Sequence, residues 1–406
     1  MGQFDSALTS EAFNQNPYPV YHQMRKEAPV YWSDAWGCWL LTRYEDIAWS
    51  LQDYQTFTSL GRLTASMELP EPLWEKVEPL VRHYSQGLIN VDPPDHTRMR
   101  KLVHMAFTPR AIRKMRTYIE GIVERLIDEQ IERGEMDVIW DFSYPLPVTV
   151  IAEMMGIPLE DHPKFKAWSG EIVAFMATPK PSPEILLKSQ DSLLAMQQYF
   201  RDIYAKRRLE PADDLITALV RAELEGDKLS EEEMVSSCVT ILIGGHETTT
   251  YLIANGMYAL LQHPDQLRLL RDNPDLDASA TEEFLRYEGP FQRNRRIATR
   301  DVKIGDMKIK KDQLIMQFLG AANRDPSQFA NPDALDVTRS PNKHLAFGYG
   351  PHFCLGAPLA RLEAPVALRA LLRKLQHIRL VHDDLEWNSA LFRGLKSLPI
   401  EFERAR

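Results

Sequence analysis

Three short stretches of this chain carry residue types whose spacing could do chemistry. The first is Phe347-Gly348-Tyr349-Gly350-Pro351-His352-Phe353-Cys354-Leu355-Gly356. It opens into Ala357-Pro358-Leu359-Ala360-Arg361-Leu362-Glu363, which reads as a helix with proline in its first turn, where the missing N–H is no loss. Cys354 is therefore expected in a tight, glycine-permitted loop at a helix N-terminus. Free N–H groups and the helix dipole there favour the thiolate. A thiolate with donors around its sulfur suits a soft metal, whereas the plainer alternative is a buried cysteine in a structural turn.

The second stretch is Gly244-Gly245-His246-Glu247-Thr248-Thr249, in the middle of the longest helical pattern. Two glycines inside a helix cost about 1 kcal/mol each relative to alanine. Either something flat approaches the backbone here or another helix packs closely. A threonine inside a helix can bond the carbonyl one turn back. With a carboxylate beside it, the pair could form an acid–alcohol proton relay. The third stretch pairs Glu283 with Arg286, three apart on a helical pattern, a spacing that alone means little. His96 and Arg100, four apart, share one helix face. Between Thr97 and Ile119 lie seven basic residues and no acidic one: Arg98, Arg100, Lys101, Arg110, Arg113, Lys114 and Arg116.

These residues need a scaffold, and the pattern predicts a mainly helical one. Helices are expected over residues 17–27, 44–51, from 95, 111–133, 149–155, 162–176, 184–209, 266–271, 278–287 and 358–375. The longest, about 230–262, starts at a capping box formed by Ser230 and Glu233 and stops before His263-Pro264. Residues 30–42 read as a hairpin around Trp36-Gly37. Short strands are expected at 296–302, 307–309, 313–318, 378–380 and 400–402, and residues 57–88 as a long loop with helical pieces. The fold class is mainly α with small β-sheet regions. One domain over 1–406 is expected, with a helix-rich core and a small β-rich region near the N-terminus.

The net charge of −9 argues against bulk nucleic-acid binding, which needs a basic surface. Three scattered cysteines, Cys38, Cys238 and Cys354, give no disulfide framework, so a cytoplasmic location is expected. Residues 1–15 have no apolar signal region, and no run of eighteen apolar residues occurs. A soluble protein without membrane attachment is expected.

The loop pattern F-G-x-G-x-H-x-C-x-G closely resembles the haem-binding loop of the cytochromes P450. The Gly-Gly-x-Glu-Thr stretch resembles the same family's [AG]-G-x-[DE]-T motif. Glu283 and Arg286 are followed by Asn323-Arg324-Asp325-Pro326, Phe329, Pro332, Asp336 and Arg339 at the family's order and spacing. The resemblance spans about residues 15–402. It implies the cytochrome P450 fold, with a long helix over haem b and Cys354 as axial thiolate, which pushes electron density toward O–O cleavage. It assigns Glu247 to proton supply and Thr248 to hydrogen bonding of the dioxygen. His246, at the variable position, is expected to be packed at a helix interface. Gly244, Phe347 and Gly356 belong to the implied haem environment. His96, Arg100, Arg296 and His352 are the implied partners of the propionates. Glu283, Arg286 and Arg339 are implied as a buried, architectural charge network.

The function so implied is a haem-thiolate monooxygenase that activates O2 and hydroxylates or epoxidises a mostly apolar small molecule. The alternatives are a peroxide-driven peroxygenase on the same fold, which has no need of an acid–alcohol pair, and a non-catalytic haem-thiolate sensor. No flavin or dinucleotide fingerprint occurs, so electrons are expected from a ferredoxin or flavodoxin with its reductase. The basic run at 98–116, with Arg361, Arg369, Arg373 and Lys374, is the expected docking face. Residues 57–88, 177–183, 290–294 and 391–398 correspond to the family's variable pocket segments. Arg62 and Arg293 are expected at the surface rather than as carboxylate anchors.

Overall fold

A computed structural model describes residues 2–65, 67, 69, 71–178, 181–222, 226–388 and 392–405. Helices dominate, and the helix Glu231–Gln262 runs through their middle. At 1.5 Å per residue its 32 residues span about 48 Å. The capping box forms: Ser230 Oγ accepts from the Glu233 N–H at 3.2 Å, and Glu233 Oε2 accepts from the Ser230 N–H at 2.9 Å. Glu231, Glu232 and Glu233 put negative charge at the dipole's positive end. Pro264 stops the helix, as its position dictates.

This helix is enclosed by Pro145–Met155, Pro183–Leu209, Asp277–Glu288 and Ala357–Lys374. Close approach is visible at two of its glycines. A Cβ at Gly245 would sit 3.1 Å from the Ile151 side chain, and one at Gly256 would sit 3.0 Å from Phe284. At Gly244 a Cβ would meet nothing within 4 Å. The two adjacent glycines therefore serve different ends: Gly245 admits a neighbouring helix, and Gly244 leaves open space.

The main sheet has five strands in the order Val30–Ser33, Cys38–Leu41, Leu314–Phe318, Arg293–Ala298 and Phe57–Thr58. The hairpin turns at Gly37, whose φ of +64° suits glycine. Cys38–Leu41 runs parallel to Leu314–Phe318, with Trp39 opposite Ile315. Arg293–Ala298 is antiparallel to that strand, with Arg296 opposite Ile315. Residues alternate across a strand. Arg293 accordingly lies over the Trp36 ring on one side, and Asn294 meets Arg62 on the other.

Some boundaries differ from expectation. The helix expected over 111–133 is two, Pro109–Lys114 and Arg116–Ile131, because the Met115 N–H bonds Ile112 O in a tighter turn. The helix expected from 149 begins at Pro145, since proline is tolerated in a first turn. A π-helical segment, Val138–Ser143, had no sequence signal and is capped by Asp137. Among the described residues no helix is long and apolar enough to cross a membrane.

Candidate active site

Cys354 is placed by backbone constraints. Its N–H donates to Phe347 O at 2.8 Å, closing the loop on itself. Gly348 and Gly350 both have φ of +72°, and a Cβ on Gly350 would lie 2.8 Å from Gln52 Cα. That position needs glycine for its angle and for its space. Gly356 is the N-cap of the helix Ala357–Lys374, and Arg361 on its second turn pairs with both Glu282 oxygens at 2.7 and 2.8 Å. The Arg361 guanidinium also lies 4.7 Å from the Phe347 ring centre, bracing the loop from outside.

Burial pushes the Cys354 thiol up. The N–H groups of Gly356 and Ala357, with Arg100 and Arg361 nearby, pull it back toward the thiolate. Cys354 forms no disulfide, and it lines a cavity of about 350 Å³.

The long helix supplies another wall of that cavity with Gly244, Gly245, Thr248 and Thr249. Thr248 Oγ1 donates to Gly244 O at 2.8 Å, one turn back. Its hydroxyl oxygen remains able to accept from a group in the cavity. Glu247, one residue earlier, does not line the cavity. It lies on the other flank of the helix, with Oε1 3.8 Å from His246 Nε2, and burial pushes its carboxyl up. His246 is buried at a helix interface as expected. Its Nδ1–H donates to Leu242 O at 2.8 Å, and its Nε2 faces Ser169 Oγ at 3.3 Å. The acid and the alcohol are therefore adjacent in sequence but angularly separated. A proton passing between them must cross by rotation of the Glu247 side chain or through water.

His96, Arg100, Arg296 and His352, from three separate segments, converge on one end of the cavity. The rings of His96 and His352 lie 4.1 Å apart. His96 is buried and its Nδ1 has no partner. Burial, reinforced by Arg100, holds its imidazole down at about 4. Burial holds His352 at about 3, and its Nε2 lies 3.2 Å from Ser59 Oγ. Arg296 is buried, and that burial lowers it to about 10. A cavity with a sulfur on its wall, open space over Gly244 and an unneutralised cationic end fits a flat apolar group that carries a thiophilic metal and carboxylates.

Glu283, Arg286 and Arg339 meet beside this site, under the chain that leads into the cysteine loop. Arg286 donates to Glu283 twice at 2.8 Å, and Arg339 Nε donates to Glu283 Oε2 at 3.0 Å. The Asp336 N–H and Asn342 Nδ2 complete the carboxylate shell at 2.9 and 3.1 Å. Arg286 spends its other donors on the carbonyls of Asn323, Pro332 and Ala334. Glu283 and Arg286 are almost wholly buried and face no cavity, so the network holds backbone segments together.

Several expectations need revision. Arg62 is not at the surface: it lines the cavity. Arg293 is enclosed over Trp36 for the same reason, since the strand carrying it lies within the sheet. The second half of the expected docking face is neutralised by acids: Arg361 by Glu282, Arg369 by Asp277, Arg373 by Glu124, and Lys374 by Glu124 and Asp128. Arg98 is likewise taken by Asp227 and Glu233, and Arg116 by Glu120. Of the pocket segments, Leu63, Leu88, Ala177, Phe291 and Phe392 do line the cavity. Pro179, Lys180 and Leu391 lie outside the described residues.

Sequence reasoning missed Asp92, which accepts from Thr58 Oγ1 and from the Ser59 N–H and sits 3.9 Å from His352. It also missed a second buried network in which Glu288 is met by Arg393, Arg324 and Tyr18. Glu363 went unnoticed too: burial pushes its carboxyl up to about 8, so it is mostly protonated at neutral pH. None of these belongs to a short motif. Each is joined to its partners only by the fold.

The family model "Cytochrome P450" matches residues 75–275 and 276–392. The chain belongs to the cytochrome P450 family, and it is by class a P450 monooxygenase. Members of that family use haem held by a cysteine thiolate. The chain is 39% identical to the biotin biosynthesis cytochrome P450 of Bacillus subtilis (strain 168), covering 98% of this chain and 99% of that one. It is 37% identical to 6-deoxyerythronolide B hydroxylase of Saccharopolyspora erythraea, over 98% of each. The crystal structure of P450BioI in complex with hexadec-9Z-enoic acid ligated acyl carrier protein superposes with a TM-score of 0.90 at 39% identity. That match covers 97% of this chain and 99% of the other.

Proposed function

We propose that this protein binds haem b through the Cys354 thiolate and oxygenates a mostly apolar small molecule, with electrons from an external ferredoxin or flavodoxin and its reductase. The observation that carries the reading is the single cavity shared by the Cys354 side chain, Thr248 of the long helix and the cationic end. When bound, haem supplies the reductive activation of dioxygen, placing one oxygen atom in the substrate and the other in water. The protein supplies the rest. Gly356 and Ala357 hold the sulfur's charge with their N–H groups, and His96, Arg100, Arg296 and His352 take the carboxylates. Leu63, Phe291 and Phe392 keep the substrate space dry and apolar. Thr248 Oγ1, its own hydrogen on Gly244 O, accepts from a protonated group in the cavity and holds it in place, and Glu247, one residue earlier, supplies protons by side-chain rotation or through water.

Fatty acyl chains, free or on an acyl carrier protein, are the first substrates to screen, because the relative P450BioI was crystallised with one. The test is turnover under isotope-labelled dioxygen with ferredoxin, its reductase and NADPH. One labelled atom in the product is the expected result. Product formed from hydrogen peroxide alone and none from the electron chain would contradict the monooxygenase reading and favour the peroxygenase.

Thr248→Ala removes the hydroxyl proposed to accept from, and position, a protonated group in the cavity. It should uncouple the enzyme: NADPH consumption persists, released hydrogen peroxide rises and product falls. Unchanged coupling would remove Thr248 from the mechanism.

Lys101, Arg110, Arg113 and Lys114 are exposed and form no ion pair among the described residues, and the exposed Met105 lies among them. A run of exposed cations without acidic partners suits an acidic electron-transfer protein. The triple reversal Lys101→Glu, Arg113→Glu, Lys114→Glu should slow reduction by ferredoxin and invert its salt dependence, read by stopped flow. An unchanged rate would reject this face.

A further inference from the structure

Arg62 lies on the cavity wall near Arg296. Its guanidinium is held by neutral acceptors alone. Nη1 donates to Asn294 Oδ1 at 2.5 Å, and Nη2 donates to Ile89 O at 2.9 Å. Longer contacts of 3.5 Å reach Asn90 Oδ1 and Arg295 O. These bonds fix the guanidinium's position without cancelling its charge. Burial and the neighbouring Arg296 and Arg295 push it well below the ordinary arginine range. A buried cation without a counter-charge is strongly disfavoured, so a structure that builds one needs an anion there.

The fixed charges can be counted. The one acid acting on both Arg62 and Arg296 is Asp92. Burial alone would raise Asp92, but the nearby His352 and hydrogen bonds from Thr58 Oγ1 and the Ser59 N–H hold its carboxyl low. No carboxylate acts on Arg100, whose favourable partner is the Cys354 sulfur. Arg62, Arg100 and Arg296, with Arg295 beside Arg62, against one aspartate leave positive charge in excess at this end. His96 and His352 could only add to that excess. A ligand edge bearing two carboxylates would offset that excess.

We infer that Arg62 is a third arginine at the carboxylate-bearing edge of the cofactor, with Asp92 offsetting part of the local positive charge. The inference rests on the reading that haem binds against Cys354. A carboxylate could also come from an acidic substrate, and the experiment separates the two sources.

The haem-loaded wild type is compared with Arg62→Met, Arg62→Lys and Asp92→Asn. Three quantities are measured: haem transfer to apomyoglobin, the ferric/ferrous midpoint potential, and optical binding of a long-chain fatty acid against its methyl ester. Arg62→Met removes a charge-assisted contact and should lose haem about tenfold faster. Loss of a cation disfavours adding an electron, so its potential should move negative. Arg62→Lys keeps the charge and should hold the potential near wild type while restoring only part of the haem retention. Asp92→Asn should move the potential the other way. Wild-type behaviour of Arg62→Met in both haem transfer and potential overturns the inference. So does a loss confined to the acid-over-ester preference, which would give Arg62 to a substrate carboxylate. Potentials shifting in the same direction for Arg62→Met and Asp92→Asn would mark a structural disturbance and overturn the charge argument. A wild-type protein that takes up no haem overturns the underlying reading and this inference with it.

Discussion

Cys354→Ser should remove oxygenase turnover while leaving the fold in place. The Cys354 side chain faces the cavity, and the loop is held by its backbone N–H bond to Phe347 O and by two glycines at positive φ. Those supports do not need sulfur. What serine cannot supply is a soft anionic ligand, because its hydroxyl keeps its proton at neutral pH. Far-UV circular dichroism and thermal unfolding of apoprotein should match wild type. Spectra of any bound haem should lack the thiolate signature, and product should fall below detection. A Cys354→Ser protein that retains wild-type turnover would show that the chemistry does not depend on this residue.

Glu283→Ala should be among the most destabilising single substitutions available in this chain. The carboxylate is fully buried and accepts from Arg286, Arg339, Asn342 and the Asp336 N–H. Its loss leaves Arg286, 1% exposed, as a buried cation facing only carbonyl oxygens. Breaking such a pair by removing one partner costs about 3–5 kcal/mol. A typical domain has only about 5–15 kcal/mol in total. Guanidinium unfolding of the holoprotein, followed by circular dichroism, should show a loss of that order. A loss under about 1 kcal/mol would mean that the network contributes little to stability.

The helices were readable where local chemistry marks their ends. Ser230, Glu233 and Pro264 bound the long helix within a residue of its expected limits. The break at Met115 and the early start at Pro145 were not readable, because they depend on packing against neighbours rather than on a breaker in the sequence. In the site, Cys354, Thr248 and Glu247 announce themselves through glycine and motif spacing. Their relative directions do not, and only the coordinates put Thr248 on the cavity and Glu247 on the other flank. His96, Arg100, Arg296 and His352 could be grouped by resemblance alone, since they come from three segments up to 256 residues apart. Asp92 was invisible for the same reason without a motif to rescue it, and Arg62, weighed as a carboxylate anchor, was expected at the surface instead. Charge read from sequence also overstated the docking face. Arg369 and Arg373 look free in the chain but meet Asp277 and Glu124 once it folds.

The central claim is that Cys354 binds haem iron as a thiolate. The most direct measurement is the visible spectrum of the dithionite-reduced protein under carbon monoxide. The account predicts a strongly red-shifted Soret band. A band at the position of ordinary histidine-ligated haem, in freshly prepared protein, would contradict it.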